Sequence, residues 1–132
     1  MTKKEIEEQA SASEEFILGC NYENGDGVPV DYVKAVEYYK KAAERGVVFA
    51  QDSLGSMYYK GKGVTIDYVK AAEWYGKAAE QGFDLAQYAL GVMYMQGQGV
   101  PQDFNKTFDL MLKSAEQGCD LAIEFLAGLS QK

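Results

Sequence analysis

The 132-residue sequence offers few groups able to do covalent chemistry, and it contains no histidine. That removes the commonest general base, the commonest metal ligand and every histidine-containing triad. Cys20 and Cys119 are the only cysteines. Without a neighbouring imidazole to draw off its proton, Cys20 makes a poor nucleophile. Two thiols without histidine do not complete a four-ligand zinc site either. They are expected as reduced, partly buried thiols or as one bridge, with no framework of disulfides. Gly25-Asp26-Gly27 and Gly97-Gln98-Gly99 look like phosphate loops. Both lack the Gly-Lys-Ser/Thr ending and neither follows a strand, so they read as turns. Asn21 to Asp31 is rich in oxygen donors, but a calcium loop counted from Asn21 puts Tyr32 where a bidentate glutamate is required. No catalytic residue, no metal site and no cofactor is therefore expected.

The elements that carry these residues repeat. Residues 14–49, 50–85 and 86–121 align without gaps, and each neighbouring pair shares 18 of 36 positions. In the second unit Leu54 and Tyr58 are four apart, hence on one face of a first helix, with Gly55 allowing a close neighbour. Gly61-Lys62-Gly63-Val64 breaks that helix, Asp67 caps the next, and Gly82 ends it. Ala71, Tyr75 and Ala78 form the buried stripe of the second helix. Tyr38 and Trp74 are expected as packing residues of the second helices. Each unit is thus a helical hairpin whose apolar stripe needs a stacked neighbour. Residues 1–13 are expected as an N-terminal cap or tail, with 3–12 as an acidic capping helix, and 122–132 as a C-terminal capping helix that restarts the first-helix pattern.

The run Leu-Gly-x-x-Tyr-x-x-Gly-x-Gly-Val-x-x-Asp-x-x-Lys-Ala, followed by Trp-Tyr-x-Lys-Ala-Ala-Glu-x-Gly, extends from Leu54 to Gly82. It resembles the Sel-1-like repeat (SLR) family, a relative of the tetratricopeptide repeat, and the likeness covers 14–121. The third unit departs at the Trp-Tyr pair, where Leu110 and Met111 keep the apolar character. The resemblance implies an all-α fold, an α/α superhelix (solenoid) of three hairpins with terminal caps. First helices then line a concave face and second helices a convex one. Family members are adaptors that hold other proteins in complexes. A cysteine-rich secreted branch has been linked to β-lactam binding through repeats that each carry a disulfide, and this chain lacks those cysteine pairs.

Helical phase places candidate partner-binding residues on the concave face. If Leu54, Gly55 and Tyr58 face the seam, Asp52, Ser56, Tyr59 and Lys60 point into the groove. A shift of 36 gives Phe16, Cys20, Glu23 and Asn24 in the first unit, and Tyr88, Val92, Met95 and Gln96 in the third, with Glu124 continuing the row. Phe16, Tyr59, Tyr88, Val92 and Met95 are large or apolar, and aromatics flanked by polar groups suit a peptide groove. The alternative is that these side chains pack on each other.

The net charge of −7 disfavours nucleic acid and anionic membrane surfaces and suits a basic protein partner. The N-terminus lacks the apolar run of a secretion signal, and no segment reaches the roughly 20 apolar residues of a membrane span. The sequence thus reads as a cytoplasmic, non-enzymatic module that binds another protein or peptide as an adaptor, scaffold or inhibitor, with the oligomeric state open and a monomer favoured. Two competing readings are a β-lactam-binding or hydrolysing enzyme and a self-associating spacer with Phe125 and Leu129 as a sticky end.

Overall fold

A computed structural model describes residues 1, 2, 4, 5 and 10–129. The described residues form seven α-helices and no strand: α1 (Ala12–Asn24), α2 (Tyr32–Glu44), α3 (Val48–Lys60), α4 (Tyr68–Glu80), α5 (Asp84–Gln96), α6 (Phe104–Glu116) and α7 (Asp120–Leu129). Of the capping helix expected over 3–12, residues 3 and 6–9 lie outside the described residues, as do 130–132 of the C-terminal cap; Lys4 and Glu5 are helical, whereas Ala10 and Ser11 are not and Ala12 begins α1. By packing, the chain divides into two compact units, Met1–Ile66 and Asp67–Lys132. The first holds α1–α3 and the second α4–α7, with sequence-adjacent helices packed on one another inside each unit.

The punctuation follows from local chemistry. Asp31, Asp67 and Asp103 precede α2, α4 and α6. Their carboxylates accept the backbone N–H of Lys34, Lys70 and Lys106 at 3.1, 3.0 and 3.1 Å, which satisfies one orphan donor at each helix start. Gly25, Gly61 and Gly97 end α1, α3 and α5 with φ of 76°, 71° and 66°, a left-handed geometry that costs side-chain-bearing residues energy. Gly63 and Gly99, two residues further on, each lie directly on the first turn of the preceding second helix. A Cβ on Gly63 would overlap the Tyr32 carbonyl, and one on Gly99 the Tyr68 carbonyl.

In the first unit Ala35, Tyr39 and Ala42 of α2 and Leu54 and Met57 of α3 are buried, as are Tyr22 and Tyr38. The Tyr22 and Tyr38 rings stack at 5.7 Å, 1° from parallel, and Lys34 and Lys41 lay their ammonium groups over those rings at 5.2 Å each. In the second unit the Ala71, Tyr75 and Ala78 stripe is buried as the spacing predicts. The third repeat keeps the same backbone with different groups. Met111 takes the place of Tyr75, and Thr107 and Ser114 take the places of Ala71 and Ala78. The two hydroxyls donate to the carbonyls of Gly91 (2.9 Å) and Asp84 (2.8 Å), so neither is buried unpaired.

A polar tie recurs between first-helix starts and second-helix ends. In the second unit Gln117 Nε2 donates to Gln87 Oε1 at 2.8 Å. In the first, the same positions hold Arg45 and Glu15, paired at 2.7 Å. Gln51 and Gln87 also donate to the Ala43 and Ala79 carbonyls at 3.2 and 3.3 Å, binding each first helix to the second helix before it.

Candidate functional site

The face expected to line a groove is best taken helix by helix. On α1, Phe16, Cys20 and Glu23 are half-buried and come together around one side chain of α2, Tyr39, which is 1% exposed. The Phe16 and Tyr39 rings lie 5.8 Å apart. The Tyr39 hydroxyl donates to Glu23 Oε1 at 2.6 Å, and the Cys20 thiol also hydrogen-bonds to the phenol. The ring enters because Gly19 has no side chain: a Cβ there would stand 2.6 Å from Tyr39 Cδ1. Burial, reinforced by the Glu23 carboxylate, raises the Tyr39 phenol well above its ordinary range. The phenol is therefore a neutral donor that ties α2 to α1, with no surface through which a substrate could reach it. Asn24 is exposed.

On α3 the predicted residues occupy the open side. Asp52, Ser56 and Tyr59 are half-buried and Lys60 is exposed, while Ala50, Leu54, Met57 and Tyr58 are buried on the opposite side. Phe49, one turn before Asp52, is 53% exposed and 6.0 Å from Phe16. In the second unit, Tyr88 and Val92 of α5 pack against the cluster formed by Met111, Cys119 and Ala122, beside Phe125 and Leu126 of α7. The terminal helix thus takes up part of their surface. Met95 is half-buried and Gln96 exposed on α5, and Glu124 is exposed on α7.

Three further residues belong to these open faces. Phe49, Leu85 and Leu121 are exposed, and they stand 36 positions apart at or next to the starts of α3, α5 and α7. Their signal was present in the period: an apolar residue three positions before Asp52, Tyr88 and Glu124.

The second unit holds a concavity away from the expected first-helix row. A groove of about 940 Å³ runs between α4 and α6, floored by Leu90 and Tyr94 of α5 and walled by Ala72, Gly76 and Leu110. Glu73, Lys77, Glu80 and Lys113 charge its rim. Gly76 opens it, since nothing lies within 4 Å of where its Cβ would be; Lys40 and Leu112 hold the corresponding positions in the other repeats. Trp74 is half-buried, with Lys77 Nζ 5.1 Å from its ring centre, and Tyr38 is buried, so the two expected packing positions differ in depth. Cys20 and Cys119 are free thiols. Among the described residues no group of three histidine, cysteine, aspartate or glutamate side chains is placed to hold a metal ion, and no helix is long and apolar enough to cross a membrane.

Comparison with known proteins agrees with this geometry. The model of the Sel1 repeat matches three times, at residues 15–47, 48–83 and 84–119. Among solved structures, the chain is similar to a protective antigen of uropathogenic Escherichia coli strains displaying an SLR fold, with 41% identity and a TM-score of 0.90. That match covers 93% of this chain and 26% of the antigen, so the chain spans about a quarter of that protein's length. It is also similar to a Sel1 repeat protein from Oxalobacter formigenes, at 37% identity and a TM-score of 0.85 over 95% of this chain and 94% of that one. The cysteine rich protein B of Helicobacter pylori matches at 27% identity and a TM-score of 0.68, over 72% of this chain and 71% of that one. No curated protein matches the sequence.

Proposed function

The chain belongs to the Sel1 repeat family, whose repeats are in general protein–protein interaction modules, and from that premise we propose that it is a non-enzymatic adaptor that docks another protein on the open faces of its first helices. The observation that carries the reading is the composition of those faces. On α3, exposed Phe49 adjoins Asp52, Ser56, Tyr59 and Lys60; on α5, exposed Leu85 adjoins Met95 and Gln96. Apolar anchors rimmed by hydrogen-bonding groups are what a partner segment needs for both affinity and register. The net charge of −7 favours a basic partner. Free thiols suit a reducing, cytoplasmic setting. Phe16, Cys20 and Glu23 contribute chiefly by holding Tyr39, and Tyr88 and Val92 by seating α7; the partner contacts of those helices fall to the exposed residues beside them.

The test is co-purification of partners from the source cell with three variants. Phe49→Ala with Tyr59→Ala strips the first unit's face, and Leu85→Ala with Met95→Ala the second's. Gly76→Arg fills the α4–α6 groove instead. Truncating an interface anchor costs about 2 kcal/mol, or roughly a 30-fold loss of affinity. Loss of the same partner in either double variant, with Gly76→Arg unaffected, supports the reading. Retention in both double variants and loss in Gly76→Arg moves the site to the second-helix groove.

A further inference from the structure

The surface beside which α6 lies recurs one repeat later. Inside the second unit, Ala72 and Gly76 of α4 and Gln87 and Leu90 of α5 line the groove that α6 closes. The residues 36 positions on are Phe108 and Leu112 of α6 and Ile123 and Leu126 of α7. α7 packs on α6, as α5 packs on α4, and among the described residues no helix follows α7. Three of these four residues depart from the repeat, each toward a large apolar side chain. Val36 and Ala72 give way to Phe108, which is 46% exposed; Lys40 and Gly76 give way to Leu112, at 39%; Gln51 and Gln87 give way to Ile123, at 45%. Gln51 and Gln87 donate to the Ala43 and Ala79 carbonyls, a bond that isoleucine cannot make. Leu126 is half-buried, where Leu54 and Leu90 are buried. Large apolar side chains open to water, at positions where the repeat holds smaller or polar ones, mark a contact surface.

Charge says what such a surface takes. Inside the chain its occupant is α6 itself, an amphipathic helix that buries Thr107, Met111 and Ser114 and carries Lys106 and Lys113, two turns apart. Lys106 Nζ lies 5.1 Å from the Tyr94 ring centre, and Lys113 shares the groove rim with Glu73 and Glu80. Both lysines are thus engaged on the α4–α5 side. The carboxylates 36 positions after Glu73 and Glu80 are Asp109 and Glu116, exposed on α6 and again two turns apart, and α7 holds no cation.

We propose that the α6–α7 face docks a basic amphipathic helix of another protein, laid as α6 lies beside α4 and α5. Its apolar side covers Phe108, Leu112, Ile123 and Leu126, and basic residues seven apart reach Asp109 and Glu116. α7 is the floor of this contact, as α5 is for α6. A second copy would set the same acidic rim against this one, with −7 on each molecule. No residue of the proposed first-helix docking faces takes part, so the two sites stand or fall separately.

The experiment is fluorescence anisotropy with the 132-residue protein and a labelled peptide of leucine, alanine and lysine. The peptide has the length of α6, 13 residues, is apolar on one helical face and carries lysines seven apart; its scrambled form is the control. Wild type should bind the patterned peptide at least tenfold more tightly, with a gain of helical circular dichroism in the mixture. Phe108→Ala with Ile123→Gln installs the second repeat's own residues and should weaken binding at least tenfold; Leu112→Lys, the first repeat's residue, replaces it if helicity falls. Asp109→Lys with Glu116→Lys should weaken binding about tenfold and flatten its salt dependence. Glu37→Lys with Glu44→Lys makes the same charge change on α2 and should stay within about twofold of wild type. Equal binding of the scrambled peptide, or an equal loss from both charge-reversed pairs, overturns the proposal. So does loss in Phe49→Ala with Tyr59→Ala and none in Phe108→Ala with Ile123→Gln, which moves the helix to the first-helix faces. Sedimentation in which wild type pairs with itself, and Phe108→Ala with Ile123→Gln does not, gives the face to a second copy and overturns it as well.

Discussion

Replacing Gly19 by alanine should destabilise the protein, although the same change in a helix usually helps. Alanine in a helix interior gains about 1 kcal/mol over glycine. At Gly76 that gain is collected in full, because nothing lies within 4 Å of the new methyl group. At Gly19 the methyl would stand 2.6 and 2.7 Å from two carbons of the Tyr39 ring. That is about 0.8 Å inside ordinary contact, and the ring has nowhere to go. Phe16 packs beside it, and its hydroxyl is held by Glu23 at 2.6 Å. Overpacking of this kind costs about 1–3 kcal/mol, which leaves a net loss of about 1 kcal/mol. At Gly91 the nearest atom is the terminal methyl of Met111 at 3.1 Å, the flexible end of a side chain that yields easily. The expected order of stability is therefore Gly76→Ala above Gly91→Ala above wild type above Gly19→Ala, with about 3–6 °C between wild type and either extreme. Thermal unfolding followed by circular dichroism measures it. The cost at Gly19 should persist in a Tyr39→Phe background, which keeps the ring, and vanish in Tyr39→Leu. Gly19→Ala as stable as Gly76→Ala would refute the claim that the ring occupies this space.

Further outcomes are expected at three sites: Tyr39, Asp103 and the Arg45–Glu15 pair. Tyr39→Phe removes the hydrogen bond to Glu23 and should cost about 1–2 kcal/mol in urea unfolding. The Tyr39 phenol is raised in the folded state by burial and by Glu23, while the unfolded chain ionises near the ordinary value of about 10. Above that pH the folded state holds one more proton than the unfolded one, so stability falls as pH rises; the alkaline slope should be shallower in Tyr39→Phe. Asp103→Ala removes the cap on α6 that accepts the Lys106 N–H, for about 1 kcal/mol, read as a lower unfolding midpoint. Arg45→Gln alone leaves the buried Glu15 carboxylate without its cation and should lose about 1–3 kcal/mol, whereas Arg45→Gln with Glu15→Gln copies the Gln117–Gln87 pair and should be near neutral.

What could be read from the residues was whatever chemistry acts within a few positions. The aspartate caps, the left-handed glycines and the Ala71, Tyr75, Ala78 stripe are each local, and the 36-residue period multiplies every such signal by three. The family followed from the same residues. The candidate site was legible only in part, because phase on one helix says which way a side chain points and not what arrives to meet it. Phe16, Cys20 and Glu23 share the helical phase of Asp52, Ser56 and Tyr59, yet Tyr39 reaches across from α2 and sits among them. Tyr39 stands 36 positions before Tyr75 and so belongs to the buried stripe by its period, but the space it fills beside Gly19 is set by packing alone. Ala122 and Leu126 repeat the first-helix pattern, but nothing in that pattern says that Tyr88 and Val92 lie against the cluster of Met111, Cys119 and Ala122. Phe49, Leu85 and Leu121 repeat at the same 36-residue interval but lie one turn before the row that begins at Asp52. The α4–α6 groove depends on Gly76, a single departure from the repeat that carries no chemistry of its own.

Docking of a partner on the first-helix faces is tested most directly by photo-crosslinking in the source cell. A benzophenone side chain placed at Phe49, at Leu85 and, for comparison, at Gly76 reports what lies within reach of each. If the first-helix faces bind, the first two positions give a defined protein adduct and Gly76 does not. An adduct at Gly76 with none at Phe49 or Leu85 would contradict that assignment.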